Sequence, residues 1–419
     1  MDYIPRALEN ILRKYEKTYK AILLTGPRQT GKSTLLKKVF PSRKYISLDD
    51  PFLEQQAREA GSMFLTLNPP PVTIDEVQRA GELFRYLKIK CDESEEKGLF
   101  CLSGSQPFHL MQNVSESLSG RIGILELSGL SMRESMRDPF NEHFLPTPEY
   151  VAKRRESARN PANIWEMIHR GGYPELQDAH KEWSAFYSDY VKTYMERDVR
   201  ELAAVQNLNI FRQFMIAAAA RTGEILNYTS IASEIGKDVT TVKNWISILE
   251  TSGIIYLLEP YTSNVLKRAI KSPKLYFRDT GLACYLTRWL TPETLAYGAM
   301  SGPMFETFVI SEILKSFANE GLDYRHFVSY YRGRDRKKVT ESHEIQETEI
   351  EIDIIIEENG ILYPIEIKKS TQAKAMMTSA FPILDQIPGK KRGVGSVVCN
   401  CPDVGVLREN LLQIPVWYI

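Results

Sequence analysis

The sequence predicts a multidomain α/β protein that opens on a parallel sheet, and three stretches predict it. The first, Ala21 to Phe40, reads AILLTGPRQTGKSTLLKKVF and passes from a short apolar strand through a glycine-containing loop into a helix. The second, residues 222–277, reads helix, turn, helix, strand. The third, Glu349 to Lys368, alternates acids with isoleucines from Glu349 towards Glu357, turns at Asn359-Gly360 and returns as a second strand. A continuous apolar run leading into a helix is the mark of a parallel strand buried on both faces, and Asn-Gly between alternating runs marks an antiparallel hairpin.

Composition sets the outer bounds. A chain of 419 residues, 43% apolar and 25% charged, is an ordinary globular chain of several domains. Lysines and arginines number 53, as do acids, so no global field draws the protein to nucleic acid and any such site is a local patch. The five cysteines are too scattered for a disulfide framework, and Cys399-x-Cys401 lacks the companions of a zinc site. They read as reduced thiols. The polar start and the absence of a run near ~20 apolar residues predict a cytoplasmic protein with no membrane partner.

Taken in order, residues 1–20 read as a leading helix with Ile4, Leu8, Ile11 and Leu12 on one face. After the strand, Gly26-Pro27-Arg28-Gln29-Thr30-Gly31-Lys32-Ser33 fits G-x-x-x-x-G-K-[ST], and a helical stretch follows with Leu35, Leu36 and Val39 on one face and Pro41 marking its end. The glycines let the backbone wrap a phosphate chain, and successive N–H groups point at it from a helix N-terminus, where the dipole favours an anion. Lys32 would reach the β- and γ-phosphates and Ser33 would ligate Mg²⁺. The expected ligands are ATP and Mg²⁺, held by residues Gly26 to Thr34.

A second strand, Lys44 to Leu48, and a third, Val72 to Asp75, follow; the third closes on two acids. Asp75 would hold Mg²⁺ and Glu76 would polarise the attacking water. The strand from Leu99 ends at Ser103-Gly104-Ser105-Gln106, where a γ-phosphate sensor would stand; Ser105 and Gln106 are both candidates. Arg121, before a further strand at Ile122 to Leu127, has two readings: contact with a nucleotide of its own or a neighbouring subunit, or a surface turn. The candidate catalytic set is thus Lys32, Asp75, Glu76, Ser105 and Arg121.

The runs GPRQTGKST, LDDP, VTIDE, LSGSQ and SGR resemble the AAA-type ATPase core of a large prokaryotic family of ATP-binding proteins. Gly171-Gly172-Tyr173-Pro174-Glu175, the helix from Tyr190 to Asp198, Lys274 to Leu282, and Phe305 to Val309 are similar to that family's later motifs. The resemblance covers nearly the whole chain and implies ATP binding, with a C-terminal domain of unknown function. On this reading, residues 1–135 form the ATPase core and a proline-rich polar stretch leads into a helical domain at 136–221. There, Glu196, Arg197 and Asp198 either contact nucleotide or make interdomain ion pairs.

Residues 222–277 read as a winged helix. Thr229 would cap its first helix, Gly236 would end it, and Val242, Trp245, Ile246 and Leu249 would be the buried stripe of the second. The exposed face of that helix, Thr241, Lys243, Asn244 and Ser247, suits DNA contact or simple packing. In the last domain, 278–419, Ile350, Ile352, Ile354 and Ile356 are expected on one strand face and Glu349, Glu351 and Asp353 on the other. A two-residue Asn359-Gly360 loop sets Glu358 against Ile361 and hence Asp353 against Glu366 and Glu351 against Lys368. Asp353 with Glu366-x-Lys368 resembles the metal-binding core of the PD-(D/E)xK nuclease fold. That resemblance implies a divalent cation held by Glu306, Asp353 and Glu366 beside Lys368. Tyr330 to Lys338 mixes rings with charge and would track a phosphate backbone.

Three functions remain open from sequence: ATP hydrolysis coupled to domain rearrangement with DNA or RNA as partner, an ATP-gated metal-dependent nuclease, or a non-catalytic ATP-binding regulator. A homo-oligomer is the expected assembly if Arg121 acts in a neighbour's site.

Overall fold

The structure, a computed structural model, describes residues 2–105, 117–195, 199, 207–262, 272–338 and 345–419, with backbone alone at 334–338 and 345–349. Gln106, Glu196, Arg197 and Asp198, and the side chains of Arg334 to Lys338 and Glu349, therefore lie outside the described residues.

The first sheet has β1 (Ala21–Thr25), β2 (Lys44–Ser47), β3 (Val72–Asp75), β4 (Phe100–Ser103) and β5 (Ile122–Glu126), all parallel in the order β2-β3-β4-β1-β5. The apolar run of β1 is buried on both faces, as a central parallel strand requires. Ala21 and Leu23 pack with Ile74, Phe84 and Leu102 on one side. Ile22 and Leu24 pack with Leu35, Leu36 and Leu125 on the other. The leading helix is shorter than expected, Glu9–Thr18. Pro5 disfavours helical backbone at the residue before it, which keeps Ile4 out of the helix.

In the middle of the chain, helices Trp183–Tyr194, Leu208–Ala219, Tyr228–Ile235 and Val239–Thr251 lead to an antiparallel ribbon of β6 (Ile255–Leu258) and β7 (Lys274–Phe277). The cap of the Tyr228 helix is Asn227, whose Oδ1 accepts the Ser230 N–H at 3.0 Å, and not Thr229. Gly236 ends that helix with φ 64, as its sequence predicts. Val242, Trp245, Ile246 and Leu249 are buried, while Lys243, Asn244 and Ser247 are exposed. Thr241 turns back to its own cap, its Oγ1 donating to Asp238 Oδ2 at 2.6 Å.

The C-terminal part lays the helix Ser301–Asn319 on a mixed sheet of β8 (Val328–Lys338), β9 (Ile345–Glu358), β10 (Ile361–Lys368), β11 (Lys391–Arg392), β12 (Gly395–Cys399), β13 (Gly405–Arg408) and β14 (Leu411–Pro415). Its order is β13-β14-β12-β10-β9-β8, with β11 beside β10. Asn359 and Gly360 take φ 52 and 78, the pair of left-handed residues that a two-residue hairpin loop demands. The register runs from Ile361–Glu358 to Ile365–Ile354 as the loop predicts.

The predicted alternation of β9 fails at one point. Against β8 the pairs run Val328–Ile356, Ser329–Ile355 and then Tyr331–Ile352, so β9 carries one extra residue there. A bulge of this kind inverts the faces on either side of it. Ile352 and Ile355 consequently pack with Leu362, whereas Ile354 and Ile356 pack with Ile365 in the main core.

That main core runs without a break from Met132 to Ile419, taking in the middle helices, the ribbon and one face of the C-terminal sheet. His143 ties a long connecting segment to it, with Nδ1 2.7 Å from Glu320 Oε2 and Nε2 3.5 Å from Glu358 Oε1. Burial works to lower its pKa, but the two carboxylates outweigh burial and raise it above the usual histidine value. A raised folded pKa gives stability that is present below the unfolded value near 6.5 and lost as pH rises through the folded one. We predict that His143→Gln narrows the difference in urea midpoint between pH 6 and pH 8; an unchanged difference would contradict this linkage.

Candidate functional site

The phosphate loop leaves the C-terminal end of β1 and turns through three left-handed residues: Gly26 (φ 139), Gln29 (φ 61) and Gly31 (φ 91). Gly26 admits no side chain, since an added Cβ would lie 2.2 Å from the Leu127 carbonyl oxygen. The helix Lys32–Val39 begins at once, so its N-terminal N–H groups face the loop. Lys32 is buried and donates to the carbonyls of Gly26 and Pro27 at 2.9 and 2.8 Å. From behind, Arg6 donates to the Thr30 carbonyl at 2.8 Å and the Ser128 carbonyl at 2.8 Å. Arg6 is itself paired at 3.0 Å with buried Glu134. Burial would raise the Glu134 pKa, but Arg6 and the N–H groups of Ser131 and Ala7 hold it below the ordinary value.

Asp75 is the meeting point of the site. Ser33 Oγ donates to its Oδ2 at 2.7 Å, Tyr45 donates to the same oxygen, and Ser103 donates to Oδ1. Glu76 has left-handed backbone (φ 55), accepts from the Gln78 amide and lies 3.4 Å from Ser105 Oγ. Arg28, Gln29, Gly31 to Thr34, Glu76 and Ser105 line one cleft of about 560 Å³, with Thr193 closing it from the helix Trp183–Tyr194. Lys32, Ser33, Asp75, Glu76 and Ser105 are thus brought together. Pro27 and Thr30 instead line a smaller cavity that faces the middle helices and ribbon.

Arg121 is a correction for the site of its own chain. It precedes the first residue of β5, while the loop follows the last residue of β1, and the strands run parallel. About five residues at ~3.3 Å each separate it from the cleft of its own chain. Its guanidinium pairs with Asp92 at the surface, 3.1 Å from Nη2 to Oδ2. Arg6, Tyr45, Ser103 and Thr193 escaped the sequence reading. Each sits on an element remote in sequence from its partner, and only Tyr45 and Ser103 carried the weak signal of a hydroxyl in a strand beside β3 or β1.

The later motifs also meet. Asp279 Oδ2 accepts the Gly172 N–H at 2.7 Å, and Gly172 O accepts the Leu130 N–H at 2.6 Å, so both motifs abut the end of the first domain.

In the C-terminal domain the acids gather around two lysines. Glu306 turns to Tyr276 (OH to Oε1, 2.5 Å) and to Lys274, 3.4 Å away. Asp353 Oδ2 accepts the Ile367 N–H at 2.8 Å, taking over a ladder position, and lies 3.6 Å from Lys368 Nζ. Glu366 pairs with Lys368 at 2.6 Å, and Glu351, expected opposite Lys368, pairs with Lys274. Among the described residues no three acids, histidines or cysteines form a group able to hold a metal ion. Asp353 and Glu366 meet at Lys368, on the same face as expected, while Lys274 stands between Glu306 and Glu351. Burial, then the Asp353 carboxylate, pushes Glu366 up to about 8. The same two causes raise Glu306 against Lys274 and Tyr276.

Parallel five-stranded sheet, phosphate loop and strand-terminal acids together define an AAA-type P-loop ATPase domain. A family model described as AAA domain matches residues 18–136. Two models of domains of unknown function, DUF8612 and DUF4143, match residues 162–293 and 301–418. Uncharacterized protein Rv2008c of Mycobacterium tuberculosis and Uncharacterized protein Mb2031c of Mycobacterium bovis are each 28% identical over 363 residues, 86% of this chain and 73% of theirs. Among solved structures, the Walker-type ATPase PABY2304 of Pyrococcus abyssi is similar at 16% identity and a TM-score of 0.42, over 68% of this chain and 96% of its own. AMPPCP-bound DnaA from Aquifex aeolicus gives 16% and 0.27, over 58% of this chain and 85% of its own. Similarity this loose places no individual residue. Among the described residues no helix is long and apolar enough to cross a membrane.

Arg6→Met removes one partner of a buried pair and leaves the Glu134 charge uncompensated. We predict a loss of about 3–5 kcal/mol in unfolding free energy by urea titration, and weaker nucleotide binding as the Thr30 carbonyl is released. A loss under 1 kcal/mol would show that the clamp contributes little.

Proposed function

We propose that this protein binds ATP with Mg²⁺ in the cleft above β1, hydrolyses it, and uses the reaction to change how its first domain sits against the rest of the chain. The observation that carries this reading is that one cleft gathers the helix N-terminus, Lys32, Ser33 and Glu76, with Asp75 hydrogen-bonded to Ser33 at its base. The donor set fits Mg²⁺: the Ser33 hydroxyl and the Asp75 carboxylate are hard oxygens 2.7 Å apart. Mg²⁺ held there would neutralise charge developing on the phosphate oxygens.

The chain's own residues do the remainder. Backbone N–H groups of the loop and of the helix start cradle the phosphates. Lys32 exchanges the carbonyls of Gly26 and Pro27 for phosphate oxygens. Tyr45 and Ser103 hold Asp75 in one orientation. Glu76, steadied by Gln78 and Ser105, orients the attacking water. The acids of the C-terminal sheet are read here as an ion-pair network, since Lys274 and Lys368 already supply their cations. The exposed Lys243, Asn244 and Ser247 leave nucleic acid as the partner class to test.

We predict that Lys32→Ala weakens binding of a fluorescent ATP analogue at least about tenfold, and that Glu76→Gln keeps binding but slows phosphate release about a hundredfold. Running the same assay with duplex DNA or RNA tests the partner. Unchanged turnover in either variant would mean that the chemistry lies elsewhere.

A further inference from the structure

Strand β7 carries a cation at its start and another just past its end, and the two meet different domains. Lys274, at the start, is buried against Glu306 and Glu351 of the C-terminal domain. Arg278, one residue past the end, pairs with Glu126, the last residue of β5 in the ATPase sheet, and donates to Tyr324 OH at 3.0 Å. Leu275, Tyr276 and Phe277 between them are buried.

The same ribbon touches the phosphate loop. Gly253, two residues before β6, has φ 74, and a Cβ added there would come within 2.6 Å of the Pro27 ring. Its neighbour Ile254 accepts the Arg278 N–H at 3.0 Å. Contact therefore runs from Pro27 through Gly253 and Ile254 to Arg278, and along about 13 Å of β7 to Lys274.

Lys274 enters a group of four carboxylates, Glu306, Glu351, Asp353 and Glu366, two of which, Asp353 and Glu366, also face Lys368. Taking its ammonium away removes the cation that pairs with largely buried Glu306 beside Asp353, which is costly. The contact thus favours two discrete arrangements, engaged or withdrawn, over a graded one.

We propose that Lys274 is a latch, and that the β6–β7 ribbon couples the nucleotide state of the phosphate loop to the acidic cluster of the C-terminal sheet by engaging or withdrawing this ammonium. The proposal rests on the reading of the N-terminal cleft as an ATP site and names the element that carries its effect.

Coupling of this kind is reciprocal, so disturbing the latch must alter nucleotide affinity. The test titrates the full chain with a fluorescent ATP analogue and Mg²⁺, comparing wild type with Lys274→Met and with Glu351→Gln, a milder change at the exposed partner. Hydrogen exchange over residues 350–368 is followed in parallel. The expected result is a shift in analogue Kd of at least about fivefold in Lys274→Met, and a smaller shift of the same sign in Glu351→Gln. Nucleotide should change exchange over 350–368 in wild type and not in Lys274→Met. Should Lys274→Met fail to fold, Glu351→Gln and the wild-type exchange carry the test. Normal binding by wild type with unchanged Kd in the variants and no exchange response overturns the latch while leaving the ATP site standing. Failure of wild type to bind the analogue overturns both.

Discussion

The N-terminal cleft depends on one carboxylate. Asp75 collects hydroxyls from Ser33 on the loop helix, Tyr45 on β2 and Ser103 on β4, and so fixes three neighbouring elements to the end of β3. A buried carboxylate is stable only where such donors satisfy it, and at 4% exposure Asp75 has little water to turn to. The same bonds hold an anionic group beside the place where phosphates and their counterion would lie. Stability and chemistry here therefore use the same atoms.

The loop is built with equal tightness. Gly26 approaches the Leu127 backbone too closely for any side chain, Arg6 grips the Thr30 carbonyl, and Pro27 is packed against Gly253 of the middle region. A loop held on its outer side by another part of the chain cannot shift alone. The core from Met132 to Ile419 is a cluster separate from the two cores of the first sheet, so polar and loop contacts such as Pro27 with Gly253 and Glu126 with Arg278 join the loop side to the ribbon.

Much of this was legible in the sequence where the deciding interactions are local. Strand, loop and helix at 21–40 are contiguous, and the register of the β9–β10 hairpin follows from two residues, Asn359 and Gly360. What could not be read came from long-range pairing. Arg6 and Glu134 are 128 residues apart, and nothing in either segment announces the other. The bulge opposite Tyr330 breaks the isoleucine alternation where the sequence itself runs Ile354-Ile355-Ile356, three apolar residues that a strict two-residue period cannot place on one face. The own-chain reading of Arg121 fails because a Ser-Gly-Arg turn has the same local pattern at either end of a parallel strand. Lys274 gave no sign of its acids, since the strand that carries it reads as an ordinary buried strand.

The most direct measurement is a crystal structure of the full chain with a non-hydrolysable ATP analogue and Mg²⁺. The expected result is a triphosphate against the backbone of residues 28–34, Lys32 moved from the Gly26 and Pro27 carbonyls onto phosphate oxygens, and the ion beside Ser33 and Asp75. An analogue bound elsewhere, or a cleft with Lys32 still bonded to its own loop at saturating analogue, would contradict the assignment of this site.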